Sequence, residues 1–314
     1  MRDLVASHQN VQSGSKSVNA SDILKIIVKE GDKLIIDTRT KDSIENSLAK
    51  YLNISVPELY SYVLHASEKA QDDYFFNGDL FSKEVLSIVS SLNPHETIDE
   101  MYVYHLSRRL ISDNMNNSSD NLKELLTNHS LLSEFLKNHG VTFFEKDGHI
   151  EILYNKKVVD LSNTSEKGVP YLRVRLGYIA GREDYCFNGF ALKDQLMKNN
   201  YTRSLYRCPE FIGILAEYLK NESIVTDYFE QSLYYCYTYK LKVSDILFDT
   251  NDKFNDQEKV DFFIVQLFDR IREYTGDSQY IFDHENPIIR IDDNSCVSAD
   301  LLVEVEEITV EMIR

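Results

Sequence analysis

The densest run of groups able to do chemistry in this chain is YLRVRLGYIAGREDYCFNGFAL, residues 171–192. Read as a strand, YLRVRL puts Arg173 and Arg175 on one face and Leu172, Val174 and Leu176 on the other. Two guanidiniums on a rigid element can grip phosphate bidentately, and a turn at Gly181 adds backbone donors. Tyr178 and Tyr185 are aromatic enough to stack on a base, and 11 of the 20 tyrosines fall between residues 171 and 239. The commoner use of such a face is plain: solvated arginines pairing with some of the 51 Asp and Glu side chains. Arg173, Arg175, Arg182, Tyr178 and Tyr185 are therefore the candidate ligand- or partner-binding set, and a nucleotide sensor built on the Arg173/Arg175 face is one reading of it.

A second cluster is YVYHLSRR, residues 102–109. A histidine within an apolar, aromatic run is most often a core residue with its hydrogen bonds satisfied. The segment also resembles the first motif of ADP-ribosyltransferases of the His-Tyr-Glu type. In that family a strand ending in Tyr-His sets the histidine against the cofactor's ribose, and the following helix begins much like NLKELL at 121–126. The resemblance implies NAD as cofactor, with His105 at the ribose and Tyr178 or Tyr185 stacked on the nicotinamide. It implies a late-strand glutamate among Glu304, Glu306 and Glu307 polarising the sugar. His105, Tyr185 and Glu306 form that alternative catalytic set. The Gly-rich turn that the family carries soon after the histidine-containing motif is absent from this sequence.

Other reaction classes lack their signatures. The chain has no GxGxxG, no GxxxxGK[ST], no GxSxG and no HExxH. Cys186, Cys208, Cys236 and Cys296 form no CxxC pair, which argues against a zinc site and for reduced, mostly buried thiols. His129, His139 and His149 recur every ten residues, a spacing that shares neither a helix nor a strand face, so no metal site is expected.

Around these clusters the sequence supplies an architecture. Its 314 residues suit two domains, and 43% hydrophobic residues can build a substantial core. Residues 1–20 read as a polar arm and 21–112 as a mainly helical domain. SDNMNNSSDN at 112–121 is the clearest linker, and 121–314 reads as an α+β domain with a largely antiparallel sheet. In the first part the best helices are DSIENSLAKYLN, SVPELYSYVLHASEKA and GDLFSKEVLSIVSSLN. In the second, VTFFEKDGHIEILYNKKVVDL predicts hairpins turning at Asp147-Gly148 and Asn155-Lys156. NDQEKVDFFIVQLFDRIREYTG predicts an amphipathic helix.

Net charge is −17, unevenly spread. Residues 167–242 hold 11 Lys/Arg against 8 Asp/Glu, whereas residues 243–314 hold 6 against 18. Such acidity opposes non-specific nucleic-acid binding and favours a basic protein partner. With no secretory leader or membrane span, a cytoplasmic location is expected. The leading functional expectation is a non-enzymatic, acidic protein that binds another protein, an inhibitor of a nucleic-acid-handling complex. Phage-encoded antagonists of bacterial defence, acting in the host cytoplasm, are the class-level analogy. Self-association through opposite charges is expected as well. The NAD-dependent enzyme is the alternative.

Overall fold

The computed structural model describes residues 34–72, 74–111, 118–181, 184–249, 251–276, 283 and 285–313. The expected arm at 1–20, the element SDILKIIVKEG and most of the linker lie outside the described residues, as does Arg182. The fold is α+β, with helices leading and a largely antiparallel six-stranded sheet behind them.

Among the described residues, three helices come first: α1 (Lys41–Leu52), α2 (Val56–Ala70) and α3 (Gly78–Leu92). Thr40 and Ser55 close capping boxes on the first two, satisfying amides that would otherwise be orphaned. Asn53 and Asn93 end α1 and α3 in the left-handed conformation that asparagine tolerates. Then β1 (Glu100–Leu110) runs down the middle of the sheet. It pairs antiparallel along its length with β6 (Ser232–Lys242).

On β1's other side lies the short β5 (Asn188–Phe190). Gly189 permits that approach: a Cβ there would stand 2.5 Å from Val103 Cγ1 and 3.1 Å from the Tyr104 carbonyl oxygen. β8 (Ile288–Arg290) and β7 (Leu247–Phe248) extend the sheet past β5, and β9 (Leu302–Glu307) forms the opposite edge.

The register fixes what each face of the sheet carries. Residues directly opposite in an antiparallel pair share a face. Met101, Val103, His105 and Arg109 therefore stand beside Leu241, Tyr239, Tyr237 and Leu233. The upper half of this face packs on α1–α3 and on α10 (Asp256–Thr275) through Leu48, Val63, Phe81, Phe263 and Phe268. The other face carries Tyr104, Leu106, Cys236 and Tyr234 in a smaller core.

A third core belongs to the segment inserted between β1 and β6. There α4 (Leu122–Thr127), α5 (Leu131–Asn138), α8 (Glu210–Tyr218) and α9 (Ser223–Glu230) pack with the ribbon β2 (Val141–Lys146), β3 (His149–Tyr154) and β4 (Lys157–Val158). Both expected hairpin turns are present, with positive φ at Asp147 and Gly148 and again at Asn155 and Lys156.

One element departs from expectation. VPYLRVR is not a strand but α6 (Val169–Arg175). Pro170 sits in its first turn, and the fully buried Val169, Leu172 and Leu176 follow the three-and-four spacing of a helix. Among the described residues, no helix is long and apolar enough to cross a membrane. Residues 34–314 form one compact unit.

Candidate functional site

A cleft of about 620 Å³ opens where the lower end of β1 meets the inserted segment. Its floor is β1 from His105 to Leu110, and one wall is the run from Asp184 to Phe190. Ser118–Asp120, Tyr171, Arg175, Glu210, Tyr228 and Arg290 close the remaining sides.

His105 occupies the floor in one defined state. Its Nδ1 lies 2.6 Å from the Asn188 carbonyl oxygen, which can only accept, so Nδ1 carries the proton. Burial, with a further push from Arg109, lowers its pKa to about 4 against that carbonyl. The ring is therefore neutral at pH 7, with a lone pair at Nε2. Ser119 Oγ lies 3.4 Å from that nitrogen. Phe187 stacks on the ring at 4.6 Å between centroids.

The arginines of the cleft divide by how fully they are engaged. Arg108 is structural: it donates to Ser232 Oγ and to the carbonyls of Tyr206, Phe229 and Ser232, all within 2.9 Å. Arg109 lies over the Tyr237 ring at 4.1 Å and donates to the Ser118 carbonyl. Arg175 pairs with Asp184 at 2.7 Å, and its Nε has no hydrogen-bond partner among the described residues. Burial opposes the Arg175 charge, but Asp184, together with Tyr171 and Cys186, more than offsets it and the guanidinium pKa is raised.

Arg290 is the least engaged. Its nearest carboxylates, on Asp249 and Asp252, stand at 3.7 and 3.8 Å, beyond hydrogen-bond reach, and its Nε is likewise unpartnered among the described residues. Arg175 and Arg290 both act on Cys186, whose thiol burial and the carboxylates of Asp184 and Asp293 push up to about 12. That thiol stays protonated and is no nucleophile.

The residues singled out in the sequence separate into three places. His105, Arg175 and Tyr185 share the cleft. Arg173 and Tyr178 do not line it: they stack on each other at 5.0 Å, beside His149 and against the Leu161 carbonyl. The helix explains the split, since positions two apart on a helix point to different sides whereas on a strand they share one. Glu306 lies elsewhere again. It pairs with Cys236 in register and reaches Lys193 at 3.0 Å, on the sheet face opposite His105. The alternation of β6 thus separates it from the histidine and tyrosine of the same set.

Sequence reasoning missed Arg109, Arg290 and Ser119. Arg290 had a faint signal, a cation within the apolar strand NPIIRIDD, while Ser119 was hidden in a Ser/Asn-rich linker.

Among the described residues, Asp120, Glu124 and Cys296 bring possible metal ligands within 4.8 Å of one another. The Cys296 thiol lies 3.3 Å from Glu124 and is raised in pKa, first by desolvation and then by that carboxylate, so a shared proton accounts for the group. No family model matches this chain, and no curated protein or solved structure is found to be similar to it.

Proposed function

We propose that the cleft binds a nucleotide-type ligand, a phosphorylated molecule with an aromatic base. The observation that carries this reading is the surplus of donors on Arg175 and Arg290. Buried guanidiniums ordinarily spend their N–H groups on protein acceptors. Here Arg175 and Arg290, both partly exposed, line one concave site with Cys186, each with a buried Nε that lacks a partner among the described residues, and their terminal N–H groups are the ones a phosphate group would engage. The volume lies in the range of small-molecule sites, and Phe187, Tyr171, Tyr185 and Tyr201 offer rings for a base. NAD belongs to this ligand class.

The test is calorimetric titration of the full chain with ADP and NAD. Arg290→Met should weaken binding about tenfold or more, the order of one charge-assisted contact. Arg173→Met, outside the cleft, should leave it unchanged. Equal affinities in the Arg290 variant and the wild type would sink the proposal.

A second reading rests on a different surface. Edge strand β9 exposes Val303, Glu304, Val305 and Glu307 at the acidic end of the chain. An extended basic segment of a partner protein would find there carboxylates, apolar contacts and backbone groups that no strand among the described residues pairs with. This supports the acidic-binder function, with an inhibitor as its sharpest form. Capture of a basic partner that is lost on Glu304→Lys/Glu307→Lys substitution would bear it out, and unchanged capture would remove it.

A further inference from the structure

Ser119 and His105 are arranged as more than ligand contacts. The imidazole is anchored at one end and open at the other: Nδ1–H is given to the Asn188 carbonyl at 2.6 Å, and Nε2 faces Ser119 Oγ at 3.4 Å. Phe187 stacks on the ring and holds its plane. The serine is fixed as firmly. Its amide donates to the Val297 carbonyl at 2.8 Å, and its own carbonyl accepts from the Val297 amide at 2.9 Å, an isolated two-residue bridge. Ser119 is 6% exposed and lines the cleft.

This is the order of parts that activates a hydroxyl: a nucleophile, a neutral base whose lone pair meets it, and a third group that sets the base's tautomer. Here a backbone carbonyl takes the place more often held by a carboxylate. The 3.4 Å separation is long for a hydrogen bond, as such contacts often are before substrate is bound. The cleft's thiol, Cys186, is excluded as the nucleophile by its raised pKa.

We infer that Ser119 is a nucleophile, activated by His105, that accepts an acyl group from a carboxylic ester bound in the cleft. Ser119 Oγ bonds to the ester carbonyl carbon while its proton passes to His105 Nε2. The carbon–alkoxy bond then breaks, and the leaving alkoxide takes that proton and departs as the alcohol. Water attacks the acyl-serine next and gives a proton to Nε2. Serine leaves the carbonyl carbon, recovers the proton, and the free acid is released. Asn188 acts only through its backbone, as a positioning group. The inference stands on the serine–histidine pair and holds whether the cleft's anion reading succeeds or fails.

The probe is a fluorophosphonate, which phosphonylates activated serines by displacement of fluoride. Incubated with the full wild-type chain, it should add one phosphonyl mass, mapped by peptide sequencing to Ser119. Ser119→Ala should abolish the adduct. His105→Asn keeps a side-chain N–H for the Asn188 carbonyl and deletes Nε2, so its labelling rate should fall at least 100-fold in chain that still melts cooperatively. Mapping the adduct in wild-type protein needs no variant. Absence of label at Ser119 overturns the proposal, and an undiminished rate in folded His105→Asn overturns the role of the base.

Discussion

A proton arriving at His105 must enter a ring whose Nδ1–H is already committed and whose surroundings are largely buried. The folded pKa, about 4, lies below the ordinary value of 6.5, so the unfolded chain binds more protons between those values. Stability from the neutral ring is complete above pH 6.5 and is lost as pH falls through 4. Wild-type melting temperature should drop over that window by more than that of His105→Asn, both followed by circular dichroism. Parallel curves would show that the ring is not held neutral. At this scale the sequence was partly legible. His105 announced itself as an aromatic-flanked histidine, but its tautomer depends on the carbonyl of Asn188, 83 residues away. No local pattern encodes that distance.

Elements decide which side chains meet. The helices α1 to α3, the β2–β3 hairpin and α10 were readable because each carries its own period and its own punctuation: capping boxes, Asp-Gly and Asn-Lys turns, and apolar positions three and four apart. For α6 the same residues fit two periods. Leu172, Val174 and Leu176 alternate like a strand, while Val169, Leu172 and Leu176 also mark a helical stripe. Pro170 and the packing of the inserted core selected the helix, and Arg173 left the cleft with that choice.

The joint between β1 and β6 rests on Arg108, 7% exposed, whose guanidinium ties the start of β6 to the ends of α9 and of the Asn200–Leu205 helix. Arg108→Met would leave three carbonyls short of a donor. At ~1 kcal/mol or more for each buried group so stranded, the loss should reach about 3 kcal/mol in urea unfolding. A change below about 1 kcal/mol would mean that water replaces those bonds.

At the scale of the whole molecule, the charge map and the topology separate two surfaces. Basic groups gather in the middle of the sequence, and the inserted segment carries Arg175 to the cleft, where Arg290 arrives from β8. Acidic groups gather at the end, and β9 displays them on the edge of the sheet among the described residues. The fold class and the acidic end were legible from composition and pattern. The cleft was not, because its arginines come from residues 115 positions apart in a sequence that gives no spacing signal for them.

Whether the cleft takes a phosphorylated ligand is read from thermal melting of the full chain with and without ADP. A ligand bound only by the folded state at 100 times its Kd stabilises by about 2.7 kcal/mol. The melting temperature should therefore rise by several degrees in millimolar ADP, a rise that Arg175→Met/Arg290→Met removes. An unchanged wild-type melt, or an equal rise in the double variant, would contradict it.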